Sequence, residues 1–265
     1  PNQHNSSDVK IKELKEYINS NHSIFSTMVT KNINLDSIPA MRVKVKSLTA
    51  KVKDAVVFYT ALNKNIIDTI SYFSTIPKNN KLRTNFNSLV VFISSKERAG
   101  IERAVLSSVF AKDTFSRAMA AKFASLVSEQ KAFTNLFMHT ANQNMQDTYN
   151  SVKADPSFGE VQKYRDIAES KENSFGVNPT VWFKTITKKI NKLKNFEDTL
   201  SNYTLAMADS MVNSSFMMLI FVSIFSIVII LFVLILTKGV ASSITMSIDR
   251  FKSIMQDIRI KEICL

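Results

Sequence analysis

The sequence predicts an all-α protein, an up-and-down helical bundle of long antiparallel helices that continues into one transmembrane helix. Three observations predict it. Only four Gly and five Pro are spread over 265 residues, so little interrupts a helix. Asn-Gly and Asp-Gly dipeptides are absent, which leaves β-hairpins without local support. The stretch FMMLIFVSIFSIVIILFVLIL, Phe216 to Leu236, is broken only by Ser223 and Ser226, and no charge falls between Asp209 and Lys238.

Taken in chain order, VKIKELKEYINSNHSIFSTMV reads as one amphipathic helix. Asp36 or Ser37, with Pro39 behind it, opens a second that is expected to run unbroken to just before Pro77. Apolar Leu48, Val52, Ala55, Val56, Tyr59, Leu62 and Ile66 recur along it at steps of three and four. A third spans about Asn80 to Ala111. Asp113 is a plausible N-cap for a fourth that reaches about Ser151. Asp155-Pro156 and Asn178-Pro179 each offer a cap followed by proline at the first helical position. From Pro179 no Gly or Pro precedes the apolar stretch, so one helix can run from the outer domain into the bilayer; a break near Asn213 to Ser215 is the alternative. After Gly239, the spacing of Ile244, Ile248, Phe251, Ile254 and Ile258 fits an amphipathic helix beside a dimer mate.

The apolar stretch spans about 31 Å as a helix, close to the ~30 Å hydrocarbon core of a bilayer. A buried helix of a soluble core rarely stays apolar on every side for so long. Lys238, Arg250 and Lys252 follow it, whereas Ser201 to Ser215 contains no Lys or Arg, which puts the C-terminal side in the cytoplasm. The expected division is therefore 1–213 as a periplasmic helical domain, 214–237 as the inner-membrane span and 238–265 as a cytoplasmic linker. Residues 1–213 carry 29 of the 34 Lys and Arg and 19 of the 22 acids, a net charge of +10. That balance suits an anionic partner, and equally a solvated, Lys-rich exterior.

Chemistry is harder to find. Cys264 is the single cysteine, and His4, His22 and His139 stand apart without metal-ligand spacing, so no metal, cofactor or catalytic residue is expected. Phosphate loops and nucleophile elbows are missing. The lysines are dispersed over every helix, which gives nucleic acid no basic stripe. Enzymatic activity is not expected.

What stands out is SSKERAGIERAVLSSVF, Ser94 to Phe110. At about 100° per residue, Leu82, Phe86, Leu89, Val90, Ile93, Glu97, Gly100, Ile101, Ala104, Ser108 and Ala111 share one stripe, bulky in its first half and small or polar in its second. Inside a bundle that change means either a closer helix approach or a space with a carboxylate at its edge. Arg98 and Glu102 are spaced as an i,i+4 pair on one side. Lys96 and Arg103 flank the other, where Arg103 is placed to aim a planar fork at an anion and Glu97 to orient it, or the two to pair within a packed core.

The run KERAGIERAVLSSVFAKDTF resembles the signature of the nitrate- and nitrite-sensing (NIT) family, whose core reads Lys-Glu-x-x-Gly-x-Glu-Arg-Ala. FGVNPTVWFKTITKKINKLKNFED, with Trp182, looks like the start of that family's last helix, and VKDAVVFYTALN is similar to its second-helix segment. Together the motifs cover about Asn34 to Asp198. ASSITMSIDRF looks like the beginning of a HAMP-type linker, without the proline common there. The whole resembles a methyl-accepting chemotaxis receptor, expected to start after a first membrane span and a Glu-Arg-Gly motif and to stop before its output module. The resemblance implies a periplasmic all-helical sensor, usually a homodimer, that binds nitrate or nitrite through arginines. By motif match Arg103 carries that role, with Glu97, Gly100 and Glu102 as neighbours and Arg98 beside them. The competing expectations are a structural or protein-binding ectodomain, or the same sensor feeding a histidine kinase or cyclic-nucleotide enzyme.

Overall fold

The computed structural model describes residues 2–263, with side chains described for residues 4–255; Cys264 lies outside them. Among the described residues the regular elements are helices, in the order α1 (Asn2–Ser20), α2 (Ile24–Asn32), α3 (Ser37–Lys46), α4 (Val52–Ser74), α5 (Asn80–Lys112), α6 (Arg117–Thr140), α7 (Gln143–Lys153), α8 (Pro156–Ser170) and α9 (Pro179–Ile263). The chain divides into two units, Pro1–Ala206 and Met207–Leu265.

In the first unit, α5, α6, the segmented pair α7–α8 and the start of α9 form an antiparallel bundle around two apolar clusters. One cluster joins Leu106 and Phe110 of α5 to Phe123 and Leu126 of α6, Val161 and Ala168 of α8, and Trp182 and Ile186 of α9. The other joins Leu89 and Phe92 to Phe137, Met145 and Tyr149, and to Leu193, Phe196 and Leu200 of α9. The early part of α5 therefore meets the late part of α6, α7 and the stretch Leu193 to Leu200 of α9, whereas its late part meets the first turns of α9, which is the up-and-down order. Phe92, Phe137, Tyr149 and Phe196 pack edge-on or tilted, with centroids 4.8–5.8 Å apart. Each of α6, α7 and α8 starts at a side-chain cap, from Ser116, Asn142 and Asp155, and Pro156 occupies the first turn of α8. Asn178 caps α9 through Thr180 N at 2.8 Å.

Several helix ends differ from the sequence reading. The first segment breaks at Asn21, because Ser23 caps a new helix through Ser26 N. The second breaks into α3 and α4 where Leu48 takes φ +58°, a left-handed turn that no Gly or Pro marks. Asp113 does not start a helix. It ends α5 at φ +53°, and its carboxylate accepts the Phe175 amide at 2.8 Å while its carbonyl accepts Ser174 N. The helix expected to reach Ser151 stops at Thr140, where Asn142 caps α7.

The second unit consists of the remaining turns of α9. It contains a helix long and apolar enough to cross a membrane, with mean hydropathy 3.4 over its best window. The side chains from Phe216 to Leu236 are uncovered by protein. Ser223 and Ser226 donate to the carbonyls of Leu219 and Val222, both at 2.8 Å, so their hydroxyls need no water. The helix α9 carries on through Gly239 to Ile263.

Candidate functional site

The helix α5 is packed on two sides, and that decides which of its residues are deep. Its most buried face holds Ser88, Phe92, Ser95, Ala99, Glu102, Leu106 and Val109. The stripe inferred from periodicity lies one step round: Leu89 on it is buried, but Glu97, Gly100, Ile101, Ala104 and Ser108 are half-buried and Ala111 is exposed. The carboxylate in the core is thus Glu102, at 0% exposure, rather than Glu97.

On the half-buried side, facing α4, a cleft of about 540 Å³ is lined by Val52, Ala55, Tyr59 and Asn63 of α4, and by Lys96, Glu97, Gly100, Arg103 and Ala104 of α5. A Cβ built on Gly100 would meet nothing within 4 Å. Of the two expectations for a glycine here, closer approach or a space, the structure has the space. Glu97 stands at its edge, with Oε2 accepting Asn63 Nδ2–H at 2.9 Å. Burial pushes its carboxyl above the ordinary value, against the pull of Asn63, Lys96, Arg98 and Arg103.

Arg103 reaches across to α9. Its Nη1 donates to Thr187 Oγ1 at 3.0 Å, and its guanidinium lies 4.7 Å from the centre of the Phe183 ring. Burial lowers its pKa, partly offset by the charge of Glu97, with which it shares the cleft. The Trp182 indole, fully buried, donates to the Arg103 carbonyl at 3.2 Å. Arg103 is therefore bonded to α9 through both its side chain and its backbone.

The sequence-predicted residues divide. Glu97, Gly100 and Arg103 come together at the cleft. Arg98 and Glu102 do not join them, nor do they pair with each other, because each has a partner on another helix. Arg98 pairs with Glu129 of α6 and lies over Phe133 at 5.6 Å. Glu102 takes a two-point contact from Arg165 of α8, with Nε and Nη2 each at 2.7 Å, and accepts Gln130 Nε2–H at 2.8 Å. Lys96, read as flanking the stripe, pairs with Glu197 of α9. Asn63, Thr187 and Phe183 were missed, since each contacts α5 from a distant segment. The only signal for Phe183 and Thr187 is their place in the stretch around Trp182.

Comparison with known proteins bears on the family. No curated protein and no solved structure matches the chain. One family model does, described as nitrate and nitrite sensing, and it covers residues 1–204, further toward the N-terminus than the three sequence motifs reach. That match takes in the whole cleft and most of the chain, so the chain belongs to the nitrate- and nitrite-sensing family.

Proposed function

We propose that the chain is a transmembrane receptor whose helical domain binds nitrate, nitrite or a related small anion at the Glu97–Gly100–Arg103 cleft. The observation that carries this is a half-buried guanidinium beside open space, on the helix with the family's signature. A planar guanidinium presents paired N–H donors to a planar oxyanion, which a lysine ammonium does not.

The same contacts supply a route for the signal. An anion that takes Arg103's donors competes with Thr187 and Phe183, both on α9. Two arrangements of Arg103 then differ in their hold on α9, and a ligand that favours one shifts the balance by its differential affinity. In this proposal α9 crosses the inner membrane, with the N-terminal domain periplasmic and the C-terminus cytoplasmic, as the flanking cations suggest. It biases a HAMP-type helix in a homodimer, with chemotaxis as the output and no catalysis in the chain.

A second reading has its own observation. Val43, Val45, Leu48, Val52 and Val57 are exposed apolar side chains on α3, α4 and the turn between them, where a protein-binding ectodomain would seat a partner. Thermal unfolding of the full chain in lipid nanodiscs distinguishes the two. The receptor reading expects nitrate or nitrite to raise the midpoint where chloride does not. Equal midpoints in all three salts favour the protein-binding reading.

A further inference from the structure

The bundle holds a second polar centre that the Arg103 cleft does not use. Between its two apolar clusters lie Glu102, Gln130, Arg165 and Lys189. Glu102 and Arg165 neutralise each other through two 2.7 Å hydrogen bonds, and Gln130 closes the ring by accepting Arg165 Nη2–H at 2.9 Å. Lys189 is left over. It is only 7% exposed, and its ammonium forms no hydrogen bond or ion pair among the described residues; it lies over the Phe158 ring, 5.4 Å from Nζ to centroid.

A side chain this buried whose ammonium has no protein acceptor must be satisfied from the space in front of it, so that space is informative. A cleft of about 570 Å³ opens there, lined by residues of α5, α6, α7, α8 and α9. Four cations line it, Arg165 and Lys189 at the floor with the exposed Lys131 and Lys153 at the rim, and none of its lining residues is acidic. Neutral donors are present as well, in Asn135 and Gln162. The volume falls within the ~300–1,000 Å³ usual for small-molecule sites. The Arg103 cleft has nearly the same volume, so what sets this one apart is its charge, four cations with no acid among the lining residues.

We propose that this cleft is a second ligand site, distinct from the one at Arg103, for a small anion carrying two or more negative charges. Lys189 is the buried counter-charge, and Arg165, held in place by Glu102, offers its unused Nη1 donors. Lys131 and Lys153 meet the far end of the ligand. The shared chemistry is polyvalent negative charge, supplied by either carboxylate or phosphate groups. Burial, then the neighbouring charge of Arg165, push the Lys189 ammonium down to about 8, with Glu102 pulling the other way. An anion in the cleft supplies the acceptor that the protein does not.

The test is titration calorimetry on the full chain in nanodiscs, with citrate and with pyrophosphate as probes. Saturable binding with a Kd below about 1 mM is expected for at least one; citrate alone identifies the carboxylate class and pyrophosphate alone the phosphate class. Lys189→Gln is expected to weaken it at least tenfold. The exposed pair Lys131→Glu and Lys153→Glu, which leaves the buried layer intact, is expected to do the same, and Arg103→Ala to leave it unchanged. No saturable heat with either probe overturns the proposal, as does unchanged affinity in the rim variant. Because nitrate binding at Arg103 is measured separately, either site can fail without the other.

Discussion

The Trp182 indole donates its hydrogen bond to the backbone carbonyl of Arg103, 3.2 Å away, on the same residue whose guanidinium contacts Thr187 and Phe183. Trp182 is the only tryptophan of the chain. A change at Arg103 is therefore reported by a single, fully buried fluorophore. Nitrate is expected to shift the emission maximum saturably in the wild type and not in Arg103→Ala. A shift of equal size in both proteins separates the indole's response from Arg103.

Glu97 puts a negative charge beside the proposed anion site, and its removal is expected to help binding. Glu97→Gln keeps an acceptor for Asn63 and lifts the repulsion, so nitrate affinity at pH 7 is expected to rise severalfold, by about 1 kcal/mol. The carboxyl already titrates above its ordinary value through burial. A bound anion favours its protonated form further, so in the wild type binding tightens as pH falls from neutral toward that raised value. In Glu97→Gln the slope over this range is expected to vanish, as titrations at several pH values check.

The buried Glu102–Arg165 pair makes a stability prediction. Glu102→Leu leaves the Arg165 guanidinium, with its side chain 11% exposed, without its carboxylate. Removing one partner of a buried pair costs about 3–5 kcal/mol. Adding Arg165→Met is expected to restore most of the loss, because the guanidinium stranded by the first change is then gone as well. Denaturation midpoints of the two variants check both halves.

Lys189 predicts the opposite sign. Its folded-state value, about 8, lies below the unfolded 10.5, so folding penalises the charged form. The penalty is fully present below pH 8. Between 8 and 10.5 the unfolded chain binds more protons, so this group makes stability rise with pH across that window. Lys189→Met is expected to stabilise the protein at pH 7 by up to about 3 kcal/mol, 1.36 kcal/mol per pH unit, and to remove that rise. Thermal unfolding at pH 7 and pH 10 measures both, and a destabilised variant at pH 7 contradicts the assignment.

Much of the bundle was legible in the sequence. Pro156 and Pro179, with their capping Asp155 and Asn178, fix two helix starts through local chemistry, and the uncharged run to Leu236 needs no tertiary context. Other features lack a local signal. Leu48 turns left-handed without glycine, and Asp113 looks like an N-cap because the residue type that caps a helix also tolerates the left-handed conformation. The carboxylate was misplaced because α5 is packed on two sides, so a periodicity search finds a broad apolar surface and no unique centre. Glu102's partner lies 63 residues away on another helix, and only the fold brings it near. Gly100, Glu97 and Arg103 were readable as a group because all three sit within two turns of α5.

In the proposed site Arg103 holds the anion. Titration calorimetry of nitrate into the full chain in nanodiscs, wild type against Arg103→Ala, tests it most directly. Saturable binding by the wild type, weakened at least tenfold in the variant while its bundle stays folded by circular dichroism, is the predicted result. Equal affinity in the two proteins contradicts it.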